Sequence, residues 1–392
     1  MTRFDTFDAM RIALFSEVYW PMVSGVGVVL PRLADALTAR GHAVRVYTAS
    51  YPLPDGASLR PEIHQSPSAP FFLYPDVQWA FPRPGEIAAD LRAFSPDLVH
   101  VATEFAMGLT GVRAAQQLRV PVVASAHTDY ERYAARYGMG WLVDWGWPYM
   151  RWFYRQTRRV LAPSRFYEAH LNQRGISNTG IWTRGVDRMA FSSAHRSDEW
   201  RRRFGVGPDD VMGTYVGRLA TEKNIGLLLD AWEALGPRRR GAQLVLVGRG
   251  PMEQEIVERL LPGVHLAGIL RGEALSAAYA SGDIFVFPST TETFGNSLLE
   301  AMASGQACIT AGAGGLLEFA EHGVNSWVAE PESMTATADA IARLIDDPSL
   351  RRSLAAGGRA TALARDWDEI FDRLVDEEYL PLVRERGARR AA

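Results

Sequence analysis

Short runs of apolar, β-branched residues recur along the chain, separated by longer stretches with amphipathic periodicity. The first five runs cover residues 11–17, 43–50, 98–104, 121–127 and 158–164. Six further runs cover residues 212–219, 243–248, 264–268, 284–289, 307–313 and 326–330. Strands that are apolar along their whole length are buried on both faces, as in parallel sheets covered by helices. The pattern therefore predicts an α/β fold built on parallel sheets.

The runs fall into two series, which predicts two Rossmann-like domains. Between the series, residues 187–198 lose periodicity and gain serine, histidine and charge. We place an N-terminal domain at residues 1–190 and a C-terminal domain at residues 191–365. The segment 366–392 follows the second series, and we expect its helix to cross back to the first domain.

Composition excludes several classes of protein. A net charge of −3 argues against a basic protein that binds nucleic acid. The single cysteine, Cys308, lies in an apolar run, so we interpret it as a buried thiol in a cytoplasmic protein. The first residues lack the apolar region of a secretory signal, and we find no stretch of about 18 apolar residues that could span a bilayer.

The residues that follow the predicted strands favour a cleft that binds a polar ligand, because ligands of open parallel sheets lie beyond the carboxyl ends of the strands. Glu292 lies in a polar loop, Gly295, Asn296 and Ser297 then open a helix, and Glu300 lies within that helix. Free N–H groups at a helix start bind phosphates, while carboxylates accept hydrogen bonds from sugar hydroxyls. We favour this interpretation over a capping acid and a solvated helix acid.

A second group of candidates follows two other predicted strands of the second series. Gly217 is followed by Arg218 and Lys223 in a loop before a helix, and Gly248 ends the next run. Two cations beside glycine can neutralise a diphosphate leaving group. The alternative is a solvated loop that carries surface charges.

The first series also offers candidates at strand ends. Gly25 and Gly27 lie between the first run and an amphipathic helix, where glycine lets backbone N–H groups approach an anion. An ordinary tight turn explains these glycines equally well. His127 ends the run 121–127, where either a satisfied core histidine or a functional one would fit.

Several motifs together resemble the family 4 glycosyltransferases of GT-B fold, in which two Rossmann-like domains face a central cleft. The motifs are GRL…EKN, VGRGP, ETFGNSLLEAMASG, GAGGLLE and HGVNSW. The resemblance covers almost the whole chain and is most specific in its second half. The N-terminal pattern and the sequence HTDY at 127–130 are similar to the branch of lipid-directed mannosyl-, glucosyl- and sulfoquinovosyltransferases.

The resemblance implies a retaining, metal-independent enzyme that transfers a hexose from a UDP- or GDP-sugar. The N-terminal domain would bind the acceptor and the C-terminal domain the nucleotide sugar. Glu292 would contact the donor sugar, and Glu300 would bind the ribose. Arg218 and Lys223 would stabilise the departing diphosphate, while His127 would contact the sugar.

The family also implies roles for backbone groups. Gly25 would lie near the phosphates, and Gly295 with Asn296 would supply backbone contacts. The paired glycine usual in the first loop appears here as Ser24-Gly25, which would alter the approach of the phosphates. We expect no cofactor and no metal, since the nucleotide sugar is a substrate and no Asp-x-Asp motif lies at a suitable strand end.

The acceptor is indicated by an aromatic and basic stretch at residues 141–159. It holds four of the eleven tryptophans, beside arginines, with the candidate residues Trp141, Trp145, Trp147, Arg151, Trp152 and Arg155. Aromatic side chains next to cations suit an anionic membrane surface. A second aromatic stretch at 70–81 could join it. The alternative is a buried aromatic helix with arginines that extend to solvent.

We therefore expect a peripheral protein on the inner face of the cytoplasmic membrane that glycosylates a lipid such as diacylglycerol. A soluble or polymer-linked sugar acceptor is the main alternative. A nucleotide-sugar binder or epimerase without transfer activity is a third hypothesis, and the Arg218/Lys223 and Glu292/Glu300 pairs argue against it.

Overall fold

The computed structural model describes residues 9–22, 24–53, 56–71, 74–132, 138 and 140–391. Its strands are β1 Arg11–Ser16, β2 Ala43–Ala49, β3 Ile63–Ser66, β4 Ser68–Phe71, β5 Tyr74–Ala80, β6 Leu98–Val101, β7 Val122–Ser125, β8 Arg159–Ala162, β9 Thr179–Ile181, β10 Met212–Val216, β11 Gln243–Val247, β12 Val264–Gly268, β13 Ile284–Phe287, β14 Ala307–Ala311 and β15 Trp327–Ala329. Each of the eleven apolar runs contains one of these strands.

The α-helices alternate with the strands. They are α1 Gly25–Ala39, α2 Pro84–Phe94, α3 Ala106–Leu118, α4 Trp141–Tyr154, α5 Arg165–Gln173, α6 Asp198–Arg202, α7 Ile225–Ala234, α8 Glu253–Glu258, α9 Gly272–Ser281, α10 Asn296–Ala303, α11 Met334–Asp346, α12 Pro348–Leu363, α13 Trp367–Arg373 and α14 Leu380–Ala391. Short 3₁₀ turns lie at Ser193–His195, Thr221–Lys223, Gly236–Arg239 and Gly314–Glu318, and a π-helical turn spans Leu374–Tyr379.

Two parallel sheets organise the chain, as the sequence predicts. The first has strand order β3-β2-β1-β6-β7-β8-β9, and the second has order β12-β11-β10-β13-β14-β15. The order reverses beside β1 in the first sheet and beside β10 in the second. Ligands of such sheets bind where the strand order reverses, so the loops after β1, β6, β10 and β13 are the expected ligand sites.

Both faces of the first sheet are buried, which explains why its strands are apolar without alternation. Ala13 and Phe15 of β1 belong to a core on one face, while Ile12 and Leu14 of the same strand belong to a core on the other. Neighbouring residues of a strand point to opposite faces, so a single apolar run supplies both cores.

The last helical segment, from α13 through the π-helical turn to α14, packs against the first sheet. Ile370, Phe371 and Tyr379 share a core with Ile12 and Leu14 of β1. The domain boundaries at 190 and 365 remain predictions, but the segment that follows the second sheet completes the core of the first.

Four strands lie outside the eleven apolar runs and were not predicted from the sequence. The strands β3 and β9 are short edge strands of the first sheet, and β4 and β5 form a separate antiparallel hairpin. An edge strand buries less of its length than a central strand, so its sequence is less apolar and its pattern is weaker.

Candidate active site

Glu292 is held in a fixed position between β13 and α10. Lys223 donates from Nζ to Glu292 Oε1 at 2.6 Å, and Ser289 donates from Oγ to the same oxygen at 2.8 Å. The side chains of Glu292 and Lys223 are 15% and 14% exposed. One edge of the carboxylate is therefore anchored by a charge-assisted hydrogen bond while the pair retains access to solvent.

The start of α10 is shaped by Gly295. This residue has φ of +105°, and a Cβ added to it would lie 2.3 Å from Leu316 Cδ2, so the position requires glycine. Within the described part of the chain, no side chain caps the helix. The first N–H groups of a helix have no intrahelical acceptor, which leaves those of Asn296 and Ser297 able to bind an anion.

The two domains meet beside this helix start. A Cβ added to Gly25, the first residue of α1, would lie 3.5 Å from Asn296 Nδ2. Asn296 Oδ1 is buried and has no hydrogen-bond partner among the described residues. Ser24 accepts a hydrogen bond from Gly27 N–H at 3.0 Å, so Ser24 caps α1. Gly25 and Asn296, which we predicted as site residues from distant parts of the sequence, thus lie close together. Asn296 Oδ1 is available there to accept a hydrogen bond from a ligand.

Glu300 lies one turn further along α10 and accepts a hydrogen bond from Tyr279 OH at 2.7 Å. Burial raises the pKa of Glu300 to about 7, and the hydrogen bond from Tyr279 offsets only part of that effect. The positive charge of Arg32 on α1 lowers this pKa slightly, although Arg32 forms its ion pair with Asp187 at 3.0 Å.

The loops after β10 and β11 carry Gly217 and Gly248, which we predicted to bind the donor. The N–H of Gly217 donates to Val247 O at 3.0 Å, and that of Gly248 donates to Gly268 O at 2.8 Å. Both groups are therefore used by the second sheet. Arg218 donates from Nη1 to Glu222 Oε1 at 3.0 Å, and Glu222 is fully buried. The buried carboxylate of Glu222 thereby orients the guanidinium of Arg218.

His127 lies just beyond β7, and protein atoms lie within hydrogen-bond distance of both of its ring nitrogens. Nε2 lies 2.7 Å from Ser125 Oγ, and Nδ1 lies 2.8 Å from Arg184 Nη2. The pKa of His127 falls well below its ordinary value, first because of burial and then because of the charge on Arg184. Its carbonyl oxygen accepts a hydrogen bond from Thr293 Oγ1 at 2.9 Å.

Further contacts join the first domain to the Glu292 loop. Ser164 donates from Oγ to Thr293 O at 2.6 Å, and Arg132 donates from Nη1 to Thr290 O. Together with the contact from Thr293 to His127, these bonds attach residues on both sides of Glu292 to the first domain. The loop is therefore positioned by both halves of the protein.

The helix α4 carries an exposed aromatic stripe. The indoles of Trp141, Trp145 and Trp152 are 67%, 77% and 46% exposed, and Pro148 lies between them in the sequence. These positions follow the spacing i, i+4, i+7 and i+11, so they lie on one face of the helix. Arg155, just after the helix, is also exposed.

Trp147 departs from the expectation of membrane contact, because the structure buries it. Its Nε1 donates to Glu131 Oε2 at 3.1 Å, its ring stacks under the guanidinium of Arg174, and it is 9% exposed. Arg151 is half-buried, and its Nη1 lies 3.4 Å from Arg174 O. The helical period separates Trp147 from the stripe, since it lies two residues after Trp145 and points to the opposite side.

Sequence reasoning missed Arg184, Tyr279 and Ser289. Arg184 follows the short strand β9, which the periodicity does not reveal, and Tyr279 lies within α9, away from any strand end. Ser289 could have been found, because it directly follows β13 in the loop that carries Glu292.

The described residues lack two further kinds of feature. None of their helices combines the length and the apolar character that a bilayer span needs. The same part of the chain holds no group of three or more histidine, cysteine, aspartate or glutamate residues placed to bind a metal ion.

Known proteins resemble both halves of the chain. The profile of Glycosyltransferase Family 4 matches residues 23–189, and that of the glycosyl transferases group 1 matches residues 212–347. The GDP-mannose-dependent alpha-mannosyltransferase of Mycolicibacterium smegmatis is 34% identical over 97% of this chain and 100% of its own length. The alpha-monoglucosyldiacylglycerol synthase of Streptococcus pneumoniae is 29% identical over 77% of this chain and 71% of its own.

A solved structure shares the whole architecture. The sucrose-phosphate synthase of Thermosynechococcus elongatus superposes with a TM-score of 0.77 at 22% sequence identity, covering 97% of this chain and 99% of that one. At this identity the likeness concerns the fold, which is GT-B. The profiles and the full-length relative establish more than the fold: the chain belongs to the family 4 glycosyltransferases.

Proposed function

We propose that this glycosyltransferase is a retaining, metal-independent enzyme that transfers a hexose from a nucleoside diphosphate sugar to a lipid such as diacylglycerol. The observation that carries the lipid acceptor is the exposed stripe of Trp141, Trp145 and Trp152 on the domain opposite the donor site. The relative from Streptococcus pneumoniae, whose name specifies a diacylglycerol product, supports the same acceptor class.

The donor half of the proposal rests on the loop between β13 and α10. A nucleoside diphosphate placed at the start of α10 would receive the N–H groups of Asn296 and Ser297. Glu300 would accept hydrogen bonds from the ribose hydroxyls, and Glu292 would contact the hexose. The relative from Mycolicibacterium smegmatis is named for GDP-mannose, which is a donor of this class.

Transfer with retention requires the acceptor hydroxyl to attack the anomeric carbon from the side of the leaving group. In this reaction the bond from the anomeric carbon to the phosphate oxygen breaks, and a bond to the acceptor oxygen forms. The hydroxyl proton passes to the departing phosphate oxygen. Catalysis is then mainly positioning together with stabilisation of negative charge.

Charge on the leaving group would be stabilised by Arg218 and Lys223. Glu222 orients Arg218 at 3.0 Å, and Glu292 orients Lys223 at 2.6 Å. Two oriented cations supply the neutralisation that divalent metals supply in other transferases. This arrangement supports metal independence and also a role for both cations in the transition state.

The exposed tryptophans would insert at the membrane interface while Arg155 faces anionic headgroups. A helix with an apolar face and flanking cations lies in the plane of the interface. Arg158, which follows in the sequence, is exposed as well and would add to the attraction. The enzyme would thus be peripheral, bringing its cleft to a lipid acceptor that stays in the bilayer.

A donor-by-acceptor screen tests the proposal. Purified protein is incubated with UDP- and GDP-hexoses, and with liposomes containing diacylglycerol or with soluble oligosaccharides, and products are read by mass spectrometry. We expect a hexosyl lipid whose anomeric configuration matches that of the donor, formed about 10²–10³-fold more slowly by Glu292→Gln. Transfer to soluble sugars alone would contradict the lipid acceptor. An inverted anomer would contradict retention, and the absence of any transfer would contradict the whole proposal.

A further inference from the structure

A buried chain of hydrogen bonds runs through the first domain and ends at the cleft. Arg184 Nη2 lies 2.8 Å from His127 Nδ1, and His127 Nε2 lies 2.7 Å from Ser125 Oγ. Ser125 Oγ lies 2.9 Å from His100 Nε2, and His100 Nδ1 lies 2.5 Å from Tyr379 OH. The chain therefore connects the loop after β9, the end of β7, the strand β6 and the π-helical turn.

The direction of this chain follows from its first member. A guanidinium has donors and no acceptor, so Nδ1 of His127 must accept from Arg184. A neutral His127 then carries its proton on Nε2 and donates it to Ser125. The hydroxyl of Ser125 is left to donate to His100 Nε2, and the Nδ1–H of His100 donates to Tyr379. Every contact is satisfied by this single arrangement of protons.

Burial and the charge at Arg184 together keep His127 neutral. Arg184 is 4% exposed, its Nη1 donates to Trp182 O at 2.6 Å, and its guanidinium lies 4.6 Å from the centre of the Trp182 ring. Among the described residues, no carboxylate pairs with it. Burial is the largest cause of the lowered pKa of His127, and the positive charge of Arg184 lowers this pKa further. Among the titratable groups of the described residues, Arg184 and His100 lower this pKa.

We propose that Arg184 is a positioning residue, which holds His127 as the neutral tautomer protonated at Nε2. His127 then shapes the sugar site without exchanging a proton with the substrate, an inference that rests on the proposed function. Its carbonyl oxygen meanwhile accepts from Thr293 and fixes the loop that carries Glu292. His127 therefore takes no proton from the acceptor hydroxyl, which agrees with the proposed transfer of that proton to the departing phosphate.

The tautomer is measured directly by NMR on the resting, full-length enzyme. The protein is labelled with ¹⁵N-histidine, and the two ring nitrogens of His127 are distinguished by their couplings to ring protons. The chain has eight histidines, so His127→Gln and His100→Gln identify the relevant signals. We expect an unprotonated Nδ1 and a protonated Nε2 between about pH 6 and 9, in line with a pKa below the ordinary value of about 6.5. A proton on Nδ1, or a doubly protonated ring, would overturn the inference.

Kinetics test whether the positioning matters. Arg184→Met should let the Nδ1–H tautomer appear and lower kcat by about tenfold or more while the KM for the donor changes little, since small misplacements are costly in a preorganised site. Arg184→Lys keeps a side chain that only donates and should restore the Nε2–H tautomer and most of kcat. Unchanged kcat and tautomer in Arg184→Met would refute the role of Arg184.

A matched control is available in the second domain. Arg203 also lies over an indole, that of Trp200, with 5.2 Å from its guanidinium to the ring centre. Arg203→Met should leave both the tautomer and kcat unchanged. If Arg184→Met does not fold, the tautomer of the unmodified enzyme still decides the inference. If no donor and acceptor give transfer, the proposed function fails while the NMR result still stands or falls by itself.

Discussion

Lys223 Nζ and Glu292 Oε1 lie 2.6 Å apart and join the loop after β10 to the loop after β13. Because each residue orients the other, we expect Lys223→Met and Glu292→Gln each to lower kcat by about 10²–10³, the scale of a lost electrostatic contact. The double variant should be little worse than the poorer single variant, as for residues that act as a unit. Steady-state kinetics of the unmodified protein, the two single variants and the double variant give the coupling energy between Lys223 and Glu292.

If the factors by which the two single variants lower kcat multiply in the double variant, Lys223 and Glu292 act independently. The ion pair between Arg259 and Glu233, at 2.8 Å on the surface of the second domain, is the control. Arg259→Met and Glu233→Gln should leave kcat unchanged, because this pair lies outside the cleft-facing loops.

Glu300 predicts a pH dependence of donor binding. Its pKa in the folded protein is about 7, above the ordinary 4.5, because it is buried. Below pH 7 the protonated form is a poorer acceptor for ribose hydroxyls, so the KM for the donor should rise, by up to about tenfold between pH 8 and 6, as the ionised fraction falls. Glu300→Gln should show a high KM that no longer varies over this range.

The titration of Glu300 also makes the free energy of unfolding depend on pH. Since the folded pKa lies above the unfolded one, the stabilisation linked to a neutral Glu300 is complete below about pH 4.5 and is lost as pH rises through 7. In thermal unfolding, Glu300→Gln should therefore melt at a higher temperature than the unmodified protein at pH 8. This difference in melting temperature should be smaller at pH 6. Glu104, whose pKa is also raised to about 7, titrates in both proteins and cancels from the difference. A difference that does not vary with pH would disprove this account of Glu300.

The exposed stripe on α4 predicts membrane binding. Trp141→Ser, Trp145→Ser and Trp152→Ser together should weaken binding to anionic vesicles by at least about tenfold, because three indoles each bury a large apolar area at the interface. Sedimentation with vesicles gives the affinity, and activity on a short-chain, soluble acceptor reports whether the cleft is intact.

Three exposed apolar residues of the second domain provide the control. Val257, Leu260 and Met334 are 57%, 82% and 39% exposed, and their replacement by serine should leave vesicle binding unchanged. Equal losses in both triple variants, or none in either, would show that the stripe does not mediate the contact.

Gly25 predicts a steric effect at the junction of the domains. Its missing Cβ faces Asn296, so the branched side chain of Gly25→Val should obstruct the space in front of the α10 helix start and raise the KM for the donor. Gly85, in the first turn of α2, has open space around it. Gly85→Val is the matched control and should leave the KM unchanged. An unaltered KM in Gly25→Val would place the donor elsewhere.

Metal independence is tested by chelation. Because Arg218 and Lys223 are proposed to neutralise the leaving group, activity should be unchanged after dialysis against EDTA. Loss of activity that Mg²⁺ or Mn²⁺ restores would contradict this part of the proposal. Arg218→Met should not be rescued by either metal if the guanidinium itself provides the charge stabilisation.

Much of the fold was predictable because central parallel strands are buried on both faces and leave an unmistakable apolar signature. The motif around Glu292 and Gly295 was predictable for a related reason, since a glycine and a helix start at a strand end restrict the backbone strongly. The exposure of the tryptophans on α4 could be predicted from the sequence only in part. A helical period separates Trp147 from Trp145, yet the sequence does not state which face meets the core.

The contacts that fix His127 could not be predicted, because they join residues far apart in the chain. Tyr379 lies 279 residues from His100, and nothing in the sequence near Tyr379 distinguishes it from any other aromatic residue of an amphipathic helix. Such pairs follow from how the last helical segment packs, which depends on the entire fold.

That segment also affects how the protein is made. Residues Ile370, Phe371 and Tyr379 fill the core beneath β1, yet a ribosome adds them after every strand of the second sheet. Domains generally fold in order of synthesis. Here the second sheet can be completed while the first still lacks part of its interior, so the N-terminal half must wait for the C-terminal helix. The interior of the first sheet is thus completed only after the strands of the second sheet have been synthesised.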